Sequence, residues 1–358
     1  MGKEKKKSFN PKSQITGVII LIALVVFTFL IIRGNISEIN WQGFKRAFHD
    51  FNPIFAIPAG VCLLLYIGLE GRAMAAVSKP FGLKLSPIKS SVYACTELYF
   101  SGLTPSATGG QPAVVYYMNK DGYIPYKSTA MMIMNTTHYT IAMVVLGIFA
   151  LVACPGIFFS PKESFGVSTV YFVPMMIVGI VLHSALLFGC LMLMFSQKLV
   201  RSICSSFFKL MNRMHIVKSY EARMEKLDRS LSDYAVCTQT FRSHPLAQVK
   251  CLVYNILQRA SIFAIPYFIY LGFGGNAGEF LSIFCIQIVS AITVSTLPLP
   301  GSVGVSELIF ISLYSNFYAK DMIQYGMLFS RFFNFYFCMI ICAAVSIGNH
   351  IRLTLLKR

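Results

Sequence analysis

The sequence contains six apolar stretches that are each long enough to cross a lipid bilayer as a helix. They cover residues 15–32, 53–69 (extendable to 77), 129–153, 169–195, 248–271 and 323–348. A helix rises about 1.5 Å per residue, so about 20 apolar residues cross a hydrocarbon core of about 30 Å. The pattern therefore predicts an all-α fold, a polytopic bundle of membrane helices.

Composition excludes the other broad classes. Apolar residues make up 56% of the chain and charged residues 13%, against about 25% charged residues in a typical soluble domain. A soluble enzyme, a disordered chain and a disulfide scaffold are therefore excluded. The net charge of +17 is explained by basic loops beside a membrane, so we expect no binding of nucleic acid.

Two further apolar stretches are interrupted by proline and glycine. The first, 92–118, breaks at residues 104–112, and the second, 280–319, breaks at residues 297–304. Such backbone is tolerated at membrane depth only inside protein or beside a water-filled cavity. The legs of the first stretch are too short to cross, which predicts a re-entrant hairpin. The longer legs of the second stretch leave open either a re-entrant hairpin or two short crossings.

The distribution of basic residues predicts the topology. The tails 1–14 and 351–358 are basic, and the loop 197–247 carries nine Lys and Arg against four acids. All three are expected to be cytoplasmic, with 15–350 forming one membrane domain. The parity of the crossings then makes the two hairpins enter from opposite faces, as is typical of inverted-repeat transporters.

The loop 197–247 has apolar residues at spacings of three, four and seven, which predicts one long amphipathic helix. Two roles stay open for it, namely binding lipid headgroups and capping the bundle as a connector. Glu225 and Arg229 are spaced for an exposed ion pair on that helix.

Ionisable residues inside apolar stretches are costly and are therefore candidates for function. They are Glu70, Glu97, Arg259, Glu307 and Arg331. Glu70 and Arg72 point to different faces of a helix, so no salt bridge is expected between them. Two interpretations stay open for the charges: they pair and fix the packing, or they bind a polar ligand.

The breaks suggest what such a ligand could be. New helices are expected after Gly109-Gly110 and after Gly301, with Thr108 and Ser302 as N-caps. Helix N-termini flanked by glycine bind anions, so we predict lipid-phosphate binding by Thr108, Gly109, Gly110, Gln111, Arg259, Gly301, Ser302, Gly304 and Arg331. Glu70, Glu97 and Glu307 would bind a cationic headgroup or carry a coupling proton.

Catalytic chemistry has little support in the sequence. It contains no nucleophile elbow, P-loop or zinc-protease motif, so we expect no catalytic residue, metal or cofactor. His138 and most of the ten cysteines are interpreted as buried core residues.

Glu97 and the motif Thr104-Pro-x-x-x-Gly109-Gly110-Gln111-Pro112, together with Pro298-x-Pro300-Gly301-x-x-Gly304-x-x-Glu307, resemble the lysylphosphatidylglycerol synthase transmembrane, or flippase-like, family. This is the membrane half of the multiple peptide resistance factor, and the likeness covers about residues 10–350. The family usually has Pro-Gly-Gly where this chain has Pro300-Gly301-Ser302. The resemblance implies a multi-pass protein of the bacterial plasma membrane that moves aminoacylated or other anionic lipids between leaflets, which supports resistance to cationic antimicrobial peptides.

The resemblance also raises an enzymatic alternative. Full-length relatives transfer lysine from lysyl-tRNA to phosphatidylglycerol through a further cytosolic domain, which we expect this chain to lack because it ends ten residues after its last span. The alternatives are therefore a phosphatidylglycerol lysyltransferase or its membrane subunit, and a scaffold that does not transport. Expected partners are membrane phospholipids, a separate lipid-modifying synthase and, in a homo-oligomer, further copies of the chain.

Overall fold

The computed structural model describes residues 41–159, 169–213, 220–294 and 300–355. The predicted span 15–32 and the tail 1–14 lie outside the described residues, as does the end of the tail 351–358. Throughout these described ranges the chain forms helices and short turns, and none of it forms a strand. The predicted all-α fold is confirmed.

Fourteen helices organise the described chain, apart from single helical turns. They are α1 (Trp41–Asp50), α2 (Ala56–Ser78), α3 (Pro87–Leu103), α4 (Gly110–Lys120), α5 (Pro125–Ala153), α6 (Gly156–Phe159), α7 (Thr169–Phe195), α8 (Gln197–Arg213), α9 (Tyr220–Arg242), α10 (Pro245–Gly272), α11 (Phe280–Val294), α12 (Val305–Leu313), α13 (Ile323–Arg331) and α14 (Cys338–Leu355). A π-helical segment, Phe332–Phe337, joins α13 to α14.

Six helical stretches in the described ranges are long and apolar enough to cross a membrane. They are Pro53–Phe81, Pro125–Ala153, Phe172–Leu193, Pro245–Gly272, Ala277–Val294 and Ile323–Thr354. Five of them match predicted spans. The sixth, Ala277–Val294, is the first leg of the second interrupted stretch, which confirms that this leg is long, whereas α12 with its nine residues is too short to cross.

The bundle exposes large apolar side chains on its outside and buries charged side chains inside it. Val152, Phe188 and Ile148 are more than half exposed, while Glu70 and Glu307 are buried. This arrangement is the one expected where lipid surrounds the helices and polar groups can be satisfied only by other protein groups.

The first interrupted stretch folds as two packed helices, α3 and α4, joined by the first turn, Pro105–Ala107. Helix α3 ends before Thr104, whose backbone is extended, and Ser106 and Ala107 then turn the chain with left-handed φ angles of 50° and 55°. A Cβ atom on Gly110 would overlap the Ser101 hydroxyl and approach the Glu97 carbonyl. The absence of a side chain at Gly110 therefore lets α4 begin directly against α3.

The second interrupted stretch bends at the second turn, Pro300–Ser302. Gly301 has a φ angle of 58°, and a Cβ atom there would overlap the ring of Phe335. Ser302 adopts the same left-handed region at φ 53°. The serine thus takes the backbone conformation that suits the glycine usual at this place in the family it resembles.

The first and second turns pack against each other, and α3 also contacts the second turn. Both breaks therefore lie together at one place in the bundle. Their entry from opposite faces of a bilayer stays a prediction.

The predicted single helix over 197–247 is wrong. Helices α8 and α9 pack side by side, and Arg201 Nε lies 2.6 Å from Asp228 Oδ1. In one continuous helix, 27 residues would separate these groups by about 40 Å. The predicted pair between Glu225 and Arg229 is present on α9.

The apolar residues of α9 are buried in the bundle, whereas those of α8 are largely exposed. On α9, Leu231, Tyr234 and Phe241 are buried, and the helix packs on α5 and α10. On α8, Ile203 and Phe207 are at least half exposed. Helix α9 therefore has the geometry of the connector, and α8 has that of the surface helix, although one helix was expected to be one or the other.

Candidate functional site

Glu307 and Arg331 form a buried ion pair beside the second turn. Arg331 Nε lies 2.8 Å from Glu307 Oε1, with side chains 14% and 2% exposed. Arg331 Nη2 also donates to the Gly301 carbonyl, and its guanidinium lies 4.8 Å from the centre of the Phe335 ring. An unpaired charge here would be costly, so the pair stabilises the contact between α12 and α13. The hydrogen bond to Gly301 ties α13 to the second turn.

The start of α12 is capped by its own glutamate. The Gly304 N–H donates to Glu307 Oε2 over 2.6 Å, and the Ser306 hydroxyl donates to the same oxygen. Ser302 was predicted as the N-cap, and this is wrong: Gly304 is the N-cap, and the Ser302 hydroxyl donates to the Val294 carbonyl. A lipid phosphate at this helix end would therefore compete with the Glu307 carboxylate.

The first turn is held by a threonine other than the one predicted. Thr108 is not the N-cap of α4, because Gly109 is, and the Thr108 hydroxyl donates to the Pro105 carbonyl. The Gly109 N–H instead donates to the hydroxyl of Thr104 over 2.8 Å. Gln111 donates to the Thr136 hydroxyl and so links α4 to α5.

Glu70 is the centre of a buried network of side-chain amides. Its two carboxylate oxygens accept from Asn135 at 2.7 Å and Gln258 at 2.6 Å. Asn255 in turn donates to the Asn135 side-chain oxygen. As expected, Glu70 does not pair with Arg72, whose side chain is exposed.

These three amides were missed in the sequence analysis, which considered only ionisable residues within the uninterrupted spans. Asn135, Asn255 and Gln258 lie within two apolar spans, and Gln258 directly precedes Arg259. Side-chain amides inside membrane helices commonly bond across helices. A search for amides in apolar stretches would therefore have found them.

Arg259 and Glu97 lie next to the Glu70 network. The Arg259 guanidinium carbon lies 4.2 Å from the centre of the Tyr139 ring and 5.3 Å from that of Tyr66. Glu97 contacts Glu70, and both carboxyl groups are within electrostatic range of Arg259. We call Glu70, Glu97 and Arg259 the Glu97 cluster.

The Glu97 cluster contains two carboxyl groups and one guanidinium, and its polar atoms are incompletely paired. Among the described residues, Glu97 Oε2 and Arg259 Nε are buried and have no hydrogen-bond partner. Neither carboxyl group lies within ion-pair distance of Arg259 in the described ranges. Buried polar atoms are normally satisfied, so unpaired atoms at one place indicate a site for a ligand, water or proton.

The π-helical segment Phe332–Phe337 could not be predicted from the sequence. Phe335 contacts both Arg331 and the position where a Gly301 side chain would lie. Isolated π-turns inside helices occur frequently at functional sites. Here the segment lies between the ion-paired Arg331 and the start of α14 at Cys338.

The predicted core residues behave as expected. His138 is buried, and its Nδ1 atom lies 2.9 Å from the Met134 carbonyl. All ten cysteines are free thiols, and seven of them are buried.

The structure thus brings the predicted site residues together in two places. The Glu97 cluster lies beside the start of α4, with Gly109, Gly110 and Gln111. Arg331 and Glu307 lie beside the second turn, with Gly301, Ser302 and Gly304. Helix α3 contacts both places, since Glu97 adjoins Gly110 and Gly102 lies against Phe335 and Met339.

The chain forms a helical membrane bundle in which two polar breaks are in contact, and its sequence matches a known family. Residues 14–342 match the model of the lysylphosphatidylglycerol synthase TM region, and the chain belongs to this family. A protein named UPF0104 membrane protein, from Archaeoglobus fulgidus, is 24% identical over 310 residues, which cover 85% of this chain and 88% of that protein. Family membership and six apolar helices together make this a multi-pass membrane protein with a lipid-related role.

Proposed function

We propose that the chain is a flippase that moves aminoacylated or other anionic phospholipids between the leaflets of a bacterial plasma membrane. The observation that carries the proposal is the contact between the first and second turns. A lipid headgroup needs a polar route through the hydrocarbon core, and broken helices that meet inside a bundle provide one. Movement of lysylated lipid would support resistance to cationic antimicrobial peptides.

The proposed route has a polarity that suits an aminoacylated phosphate ester. The ammonium group of such a headgroup would contact the unpaired Oε2 atom of Glu97, and its phosphate would contact Arg259. The backbone of Gly109 and Gly110 and the side chains of Thr108 and Gln111 would line the same face. Glu70 would orient the cluster or accept a coupling proton.

The second turn would act as the opposing half of the route. Gly301, Ser302 and Gly304 would present backbone groups to the phosphate once the pair between Glu307 and Arg331 opens. In this proposal the two hairpins enter from opposite faces, and the termini and the region 197–247 are cytoplasmic. The ion pair then closes the route whenever no lipid is bound.

The test is a leaflet assay with purified protein in liposomes. Lipids with a fluorescent acyl chain are reduced by dithionite only in the outer leaflet, so movement between leaflets appears as an increased extent of quenching. We expect acceleration for lysylated phosphatidylglycerol and for phosphatidylglycerol, but not for phosphatidylcholine. Glu97→Gln should abolish the acceleration for the lysylated lipid, whereas the exposed Glu221→Gln should leave it unchanged.

If every anionic or aminoacylated lipid moved between leaflets no faster than in protein-free vesicles, transport would be contradicted. A second candidate function is then favoured by the family name, namely the membrane subunit of a lipid lysyltransferase. It predicts new aminoacylated lipid when the chain is expressed in a host that lacks it, and dependence of that product on lysyl-tRNA. Lipid extracts analysed by mass spectrometry distinguish the two functions.

A further inference from the structure

A cavity of about 620 Å³ lies where α7 ends and α8 begins, against the last turns of α9. Its volume is within the usual range for sites that bind small organic groups. The lining includes Phe195, Ser196, Lys198, Thr238, Gln239 and Arg242. The cavity is separate from the two turns and from the Glu97 cluster.

Two cations line this cavity from different helices. Arg242, near the end of α9, lies with its guanidinium carbon 4.9 Å from the centre of the Phe195 ring. Lys198, at the start of α8, is exposed. In the described ranges neither residue has a carboxylate within 4 Å, although Arg201 and Arg229 on the same two helices are both ion-paired.

The position of the cavity indicates where its ligand comes from. The apolar span Phe172–Leu193 ends two residues before Phe195, so the cavity lies at the boundary between apolar and polar surroundings. Aromatic and basic side chains concentrate at this depth of a membrane, where the phosphates of lipids lie. Helix α8 begins at Gln197, so its N-terminus adds a partial positive charge at the same place.

We propose that this cavity binds the phosphate group of an anionic phospholipid at the membrane surface. Lys198 and Arg242 contact the phosphate oxygens, and the Gln239 amide donates a further hydrogen bond. The Thr238 hydroxyl already donates to the Tyr234 carbonyl, so it presents only an acceptor to the headgroup. The site goes beyond the proposed translocation and would exist in a chain that only binds lipid.

Native mass spectrometry of the detergent-purified full chain tests the proposal, with phosphatidylglycerol and phosphatidylcholine as probes. The variant Lys198→Gln/Arg242→Gln should bind phosphatidylglycerol about thirtyfold more weakly, since each basic residue near a membrane surface contributes a free energy equivalent to a factor of about five. The matched control is Lys209→Gln/Lys226→Gln, which removes the same charge from exposed positions of α8 and α9 outside the cavity. It should change the affinity by less than about twofold.

Three outcomes would overturn the proposal. Equal weakening by the two double variants would make the binding a general effect of surface charge, and no weakening by the first would exclude the cavity. Displacement of the lipid by inorganic phosphate at equal concentration would make free phosphate the ligand. All four side chains are exposed, so we expect each variant to fold. Size-exclusion chromatography checks this.

The wild-type chain provides a measurement that does not depend on any variant. Phosphatidylglycerol with a diazirine on its headgroup should label peptides that contain 195–198 and 235–242 in preference to the rest of the chain. Labelling spread evenly over the ends of the spans would contradict a defined site.

Discussion

The first and second turns differ in how the charges beside them are balanced. Beside the second turn, Glu307 accepts two hydrogen bonds and pairs with Arg331. Beside the first turn, Glu97 has a buried oxygen without a hydrogen-bond partner in the described residues, and Arg259 is held between two aromatic rings instead of against a carboxylate. Glu307 Oε1 and Arg331 Nε do not form a hydrogen bond of good geometry, but they lie 2.8 Å apart as an ion pair. The same residue types therefore build an ion pair at one turn and leave the guanidinium without a carboxylate at ion-pair distance at the other.

This difference separates structural charge from functional charge. A buried ion pair stabilises the closed bundle and must open before a ligand can take its place, whereas unpaired buried groups carry a cost that a ligand or proton can relieve at once. We therefore assign ligand contact mainly to the Glu97 cluster, and closure of the route mainly to Glu307 and Arg331. The predictions below test that division.

The largest effect is expected for Arg331→Met. It leaves the Glu307 carboxylate buried and without its guanidinium, which should reduce the free energy of unfolding by about 3–5 kcal/mol. Unfolding by detergent titration, followed by circular dichroism, measures this. The double variant Glu307→Gln/Arg331→Met removes both charges and should recover most of the loss; a loss as large as in the single variant would mean that packing, not charge, dominates.

A smaller effect is expected for Gly301→Ala. An alanine at φ 58° is strained, and its Cβ would overlap the Phe335 ring, so the free energy of unfolding should fall by about 1–3 kcal/mol. The control is Gly60→Ala on α2, where a Cβ meets nothing within 4 Å and helix propensity predicts a small gain. Equal stability of the two variants by the same titration would contradict the close packing of the second turn.

Two variants of the Glu97 cluster should separate stability from transport. Glu70→Gln places a donor against the amides of Asn135 and Gln258, which should cost about 1–3 kcal/mol of unfolding free energy. Glu97→Gln keeps the contact with Glu70, because the new amide can donate to that carboxyl group, so it should cost less unfolding free energy than Glu70→Gln while it abolishes transport in the leaflet assay. Equal destabilisation by both variants would make Glu97 a structural residue like Glu70.

The helices could be predicted because their signal is local. Apolar length identified the spans, and the proline and glycine clusters identified both turns. The hydrogen bonds at the turns could not be predicted, because they depend on positive φ angles at Ser106 and Ala107 in the first turn and at Ser302 and Gly304 in and after the second. The packing of α8 on α9 could not be predicted either. The apolar residues of 197–247 have the same helical spacing whether the region forms one helix or two.

The candidate site was predicted through its charges and missed through its neutral residues. Glu70, Glu97 and Arg259 stand out because charge inside a membrane is costly. Asn135 and Gln258 are neutral, and their role depends on which helices are neighbours. The pairing of Arg331 with Glu307, and not with Glu97, also depends on tertiary structure, because it forms where α13 passes the second turn.

The smallest effect is expected for the exposed pair between Arg201 and Asp228, which provides a solvated reference for Glu307 and Arg331. Hydrogen bonds from Arg201 hold the pKa of Asp228 below its usual range, so the contact is complete at neutral pH. As the pH falls through the lowered pKa, the carboxylate is protonated and the contribution of this pair to stability is lost. The protection factors of the α8 amides, which correct for the slower intrinsic exchange at low pH, should therefore fall on acidification, whereas Arg201→Gln should show the lower protection factors at both pH values. A solvated pair is weak and screened by salt, so added salt should also increase hydrogen exchange in α8. The stability supplied by the buried pair of Glu307 and Arg331 should not change with salt. Equal salt dependence of the two pairs would remove the distinction between them.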